Sequence, residues 1–181
     1  QLSALDAINP MDYSFSEAAA AGITTVVTGP GSANPIAGSF IAIKTVGRRV
    51  DDMVVKNPAG IKFSLGENPK STYREKEQGP VTRMGTAALI REQLEKARRY
   101  TYDLESAMQD EDKAEPEYDA KCEALVPLFE RKCKAFFHCH RTDDIFTALR
   151  IAGEFHLDVT LVHATEGHLV ADLLEGETAI V

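Results

Sequence analysis

Hydrophobic positions follow two rhythms along this chain. Short apolar, β-branched runs occupy residues 23–28, 39–46, 60–65, 136–138 and 159–163, and each reads as a buried strand. Longer stretches carry apolar residues at helical spacing instead. Residues 15–20 form a short alanine-rich helix stopped by Gly22. Thr86 caps a second helix, whose inner face is Ile90, Leu94, Ala97, Thr101 and Leu104. Pro116 opens a third, with Tyr118, Cys122, Leu125 and Phe129 as its buried stripe. Thr142 caps a fourth through Ile145, Leu149 and Ala152, with Asp143 and Asp144 in its first turn. Thr165 caps a fifth that reaches Leu174 and ends at Gly176. The pattern of strand then helix predicts an α/β fold with a parallel sheet and outer helices. The piece around residues 51–58 is too short for a long crossover helix.

Between these elements lie segments of a different kind. Residues 29–35, GPGSANP, form a strand-end loop whose spacing matches neither the P-loop nor GxGxxG. Residues 66–70, GENPK, end the third strand as a loop. Residues 109–115 are a charge run of the kind found in solvated turns.

Length and charge narrow the classes. At 181 residues the chain can bury the core of one domain, residues 1–181. A net charge of −8 argues against a nucleic-acid or anionic-membrane surface, and no apolar run approaches a membrane span. Cys122, Cys133 and Cys139 have no CxxC spacing, which favours buried thiols in a reducing, cytoplasmic setting. The chain opens on Gln1 without a signal pattern, and the apolar TAIV at its end reads as the start of another strand. Both ends therefore suggest an internal segment.

Chemistry concentrates where two apolar runs end in histidine, at FFHCHRTDD and VTLVHATEGH. In a parallel sheet His138 and His163 stand at the carboxyl ends of successive strands, the edge where ligands collect. His138 and His140 share a strand face, so both can aim at one site, and histidines at two adjacent strand ends can share one metal ion or serve as hydrogen-bonded core or substrate-contact residues. His156 at a helix end reads as structural, and His168 as a surface residue. Lys62 inside an apolar strand needs a partner, access to solvent or chemical alteration.

GITTVVTGPGSANPIAG, GIKFSLGENPK and FHCHRTDDIFTALRIAGEFHLDVTLVHATEGH, in that order, resemble the amidohydrolase superfamily, closest to its imidazolonepropionase-like metal-dependent hydrolases. The resemblance covers most of the chain outside residues 74–134. It implies a partial (β/α)8 barrel and a divalent metal centre, usually zinc, of one or two ions. His138 and His163 match metal ligands of the fifth and sixth barrel strands. Lys62 matches the position of a carboxylated, metal-bridging lysine, with Glu67 the rival for that role. His140 and Arg141 would line the pocket of a small-molecule substrate. The family's first-strand His-x-His pair has no counterpart before His138, and its general base is expected beyond Val181. The parent would hydrolyse carbon–nitrogen bonds other than peptide bonds with metal-activated water, and this segment alone would be inactive. An unclosed barrel segment also predicts self-association or a homo-oligomer. Two rivals stand beside this reading: a metal-free barrel lyase or aldolase with Lys62 as a Schiff base, and a non-enzymatic α/β binding domain.

Overall fold

The computed structural model describes residues 2–174, 176 and 179–181. A six-stranded sheet runs in chain order: β1 (Thr25–Thr28), β2 (Ile36–Lys44), β3 (Val54–Ser64), β4 (Lys134–Cys139), β5 (Val159–His163) and β6 (Ala179–Ile180). From β3 to β6 neighbours are parallel, as the alternation of strand and helix predicts. The pairs β1–β2 and β2–β3 are antiparallel, which departs from a wholly parallel sheet. Connection length decides this: the links after β1 and β2 are too short for a crossover, so each strand folds back on the last. Pro58 lies within β3, opposite an irregularity between Phe40 and Ala42, because proline cannot donate to the ladder. Of the expected terminal strand, Thr178 lies outside the described residues.

Seven α-helices accompany the sheet among the described residues: α1 (Tyr13–Ala20), α2 (Val50–Met53), α3 (Glu67–Glu75), α4 (Arg83–Gln109), α5 (Ala120–Glu123), α6 (Val126–Phe129) and α7 (Thr142–Glu154). Strand alternation sends Ile61 and Phe63 of β3, with Leu65 just beyond it, and Ala135, Phe137 and Cys139 of β4, toward α4 and α7. There they meet Ile90, Leu94, Ala97, Ile145, Ala148 and Ile151 in one core. The other parity, Lys62 and Ser64 with Phe136 and His138, faces the inside of the curved sheet. A smaller cluster of Ala4, Ile41, Ile43 and Met53 closes the antiparallel end.

Five local expectations change. GENPK is helical: α3 starts directly after Gly66, and Pro69 lies in its first turn, where its missing N–H is no loss. The cap of α4 is Thr82, whose side chain accepts from the Gly85 N–H at 3.0 Å. Thr86 is buried one turn further in. Replacing Thr82 with alanine is expected to cost about 1 kcal/mol, read as a small fall in melting temperature. The helix expected from Pro116 is reduced to two single turns, α5 and α6. Pro127 has no N–H to continue α5, and its ring clashes with the turn before it.

The ends of α7 and β5 are tied together. Arg141, not Thr142, is the cap residue of α7, and it makes no side-chain cap bond. The Thr142 N–H is instead satisfied by the Glu166 carboxylate at 2.8 Å, from the segment after β5. That segment continues as a 3-10 helix over Gly167–Leu173 rather than an α-helix capped by Thr165. No helix is long and apolar enough to cross a membrane among the described residues.

Candidate metal centre

The inner parity of β4 places His138 and then His140 over the carboxyl edge of the sheet. His163 reaches them by a different route. It pairs with Cys139 in the ladder, and Cys139 faces the helix-side core. A regular strand would send His163 that way too. Its backbone instead turns left-handed, with φ of +71° followed by +41° at Ala164, and the ring stacks on His140 with centroids 5.0 Å apart. Such φ values are uncommon for non-glycine residues and gather at functional sites. The turn is pinned by Ala164 N–H to the Cys139 carbonyl at 2.9 Å and Glu166 N–H to the His140 carbonyl at 2.9 Å.

His138 sits edge-on to both neighbours, at 4.7 Å from His140 and 4.8 Å from His163 between ring centroids. One nitrogen from each of the three imidazoles lies within 4.8 Å of the others, a donor set that could hold one metal ion. Protonation suits that role. Burial, then the positive charge of Lys62 and the other two rings, pushes His138 down to about 4. Burial, His140 and Lys62 likewise lower His163. Neutral imidazole is the form that binds metals. The strongest structural sign is His138 Nδ1, which is buried and has no hydrogen-bond partner among the described residues. A buried polar atom without a partner is costly unless something fills the position, and a cation fits a bare imidazole nitrogen.

Two contacts around the group orient its rings. His140 Nδ1 lies 2.6 Å from Thr165 Oγ1, which leaves its Nε2 for the site. His138 Nε2 lies 3.3 Å from the Asn68 side-chain amide. Neither Thr165 nor Asn68 stands out in the sequence as a site residue. Thr165 reads as a helix cap, and Asn68 is hidden by a segment that reads as a loop.

Lys62 is on the inner face of β3, only 4% exposed, with its Nζ 5.1 Å from the centroid of the Phe40 ring. Burial lowers its pKa, toward the neutral amine. Glu67 is not brought into the group. It stands exposed in the first turn of α3, and its carboxylate meets Lys70 at 2.8 Å and Arg83 at 2.9 Å. Those two cations make it an anchor for α3. Arg141 turns away to Asp143, with its Nη2 3.0 Å from the carboxylate. His140, expected at the substrate side, instead lies within the three-histidine group.

Comparison with known proteins agrees with this geometry. No protein-family model matches the chain. It is 26% identical over 190 residues to the amidohydrolase tasK of Hapsidospora irregularis, a match spanning 94% of this chain and 19% of that protein. The crystal structure of an amidohydrolase from Thermotoga maritima MSB8 superposes with a TM-score of 0.94 at 41% identity. That match covers 99% of this chain and 47% of the other, so the chain spans about half the length of its solved relative. Sequence likeness, a partial α/β barrel and histidines at successive strand ends converge: the chain belongs to the amidohydrolase family.

Proposed function

We propose that this chain supplies part of the metal centre of a hydrolase acting on carbon–nitrogen bonds other than peptide bonds, closest in kind to the imidazolonepropionase-like enzymes. His138, His163 and His140 would hold a divalent cation, with zinc the best match to three neutral imidazoles. The observation carrying this reading is the buried, unpartnered Nδ1 of His138, whose ring is one of three with nitrogens gathered within 4.8 Å. When bound, such a cation supplies Lewis acidity toward a carbonyl and a more acidic water.

The chain's own residues prepare the position. Burial keeps His138 neutral, so one of its two ring nitrogens carries no proton at neutral pH. Thr165 fixes the His140 ring. Lys62 is a further candidate ligand on the same face, because its neutral amine is the form that takes up carbon dioxide to give a carbamate anion. His140 and His163 are the exposed members, so the group opens toward a small-molecule substrate. The proton-transfer base, expected beyond Val181, belongs to the same proposal, and on this reading the isolated chain does not turn substrate over.

Calorimetric titration of metal-free protein with zinc tests it. The His163→Ala variant and the His138→Leu/His163→Ala double variant are expected to lose about a hundredfold or more in affinity. Outer partners of metal ligands alone cost up to about that much. Wild-type affinity in the folded double variant would remove the histidines from the centre.

A further inference from the structure

We propose that Asn68 is a positioning residue for His138: its amide engages the Nε2 edge of the ring and so leaves Nδ1 bare and unprotonated toward the site. The inference deepens the reading of the three histidines as a cation site and rests on it for its consequence. The tautomer it specifies is measurable without any cation.

The contact sets Asn68 Nδ2 3.3 Å from His138 Nε2. A half-turn of that amide exchanges its oxygen and nitrogen, so two proton arrangements share one geometry. If the Asn68 NH₂ donates, Nε2 is the acceptor and the ring proton sits on Nδ1. That N–H is then buried without an acceptor among the described residues. If the Asn68 oxygen accepts, the proton sits on Nε2 and Nδ1 carries a lone pair. The second arrangement satisfies the ring proton and leaves one nitrogen able to take a cation. A ligating histidine that donates its other N–H to an oxygen is held in tautomer and orientation by that bond.

Asn68 is itself held firmly enough to act this way. It is the second residue of α3, between Gly66 and the buried Pro69. Gly66 takes a φ of +79°, and a Cβ there would come 2.8 Å from Asp144 Oδ2, so only glycine lets α3 start this close to the strand end. Next to Asn68, Glu67 is tied to Arg83 and Lys70. Asn68 itself is exposed, so replacing it leaves the core intact.

Nitrogen NMR of the histidine rings in metal-free protein, with zinc calorimetry alongside, is the test. Wild type should show His138 as the Nε2–H tautomer. Asn68→Leu should show mixed tautomers and bind zinc about tenfold more weakly, whereas Asn68→Asp, which still accepts from Nε2–H, should keep the tautomer. An Nδ1–H tautomer in wild type would overturn the proposal, and so would an unchanged ring in Asn68→Leu. If the tautomer depends on Asn68 but zinc does not bind, positioning stands and the cation reading falls.

Discussion

The Phe137→Ala protein is expected to lose about 4 kcal/mol of stability, within the range for emptying a fully buried aromatic site. Phe137 is 0% exposed and stacks on Phe63 with centroids 4.7 Å apart and ring planes 12° apart. Both rings lie in the core shared by β3, β4, α4 and α7. Close packing on every side leaves the neighbours little room to collapse into the gap. A loss of that size is a large share of the total stability of a domain, so urea unfolding should move to a much lower midpoint with a similar slope. Phe136→Ala is the control. Phe136 faces the inner side, is half-buried and touches Phe40 in a tilted pair 5.2 Å between centroids. Its removal should cost clearly less. Equal losses at 136 and 137 would contradict the assignment of faces on β4, and with it the direction in which His138 points.

That face assignment was the most legible part of the chain. Alternation in FFHCH places Phe137 and Cys139 on one side and His138 and His140 on the other, and the fold keeps that division. What alternation does not encode is strand direction. Residues 23–28 and 39–46 look like any other strands, and only the shortness of their links makes them antiparallel. His163 shows a second limit. Strand parity sends it toward the helices, and two left-handed residues reverse it. Backbone strain of this kind leaves no mark when the residues are histidine and alanine rather than glycine. Helix punctuation failed for a third reason. In GENPK the Gly, Asn and Pro that signal a loop are also the residues that start a helix, and the following polar stretch offers no apolar stripe to decide between them. Glu67 and Asn68 therefore exchange significance. The carboxylate that looked like a ligand anchors α3, and the neutral amide beside it touches the ring.

Removing the cation that ties α3, α4 and α7 together should be the second large perturbation. Arg83 opens α4 and donates through Nε to both oxygens of Asp144, at 3.1 and 3.3 Å, and through Nη1 to Glu67 at 2.9 Å. The Asp144 side chain is 5% exposed, so its charge has little solvent to fall back on. Arg83→Met is expected to cost about 3 kcal/mol, the lower end for breaking a buried pair, since the arginine itself is partly exposed. The pH dependence identifies the cause. Burial already raises Asp144 above its ordinary 3.8, and the Arg83 guanidinium opposes that shift. Without the guanidinium the folded-state value rises further, so the folded protein binds more protons than the unfolded one above 3.8. Stability then falls as pH rises through that window, and the deficit of Arg83→Met should shrink on acidification. Arg83→Met/Asp144→Leu should recover most of the loss at neutral pH, because an apolar pair replaces a stranded carboxylate. A deficit that is flat with pH would mean that lost packing, not the stranded charge, sets the cost. The same variant bears on the histidines. Glu67 and Asn68 are adjacent in the first turn of α3, so loosening the Arg83 tie should also weaken the hold of Asn68 on His138 and broaden that ring's nitrogen signals.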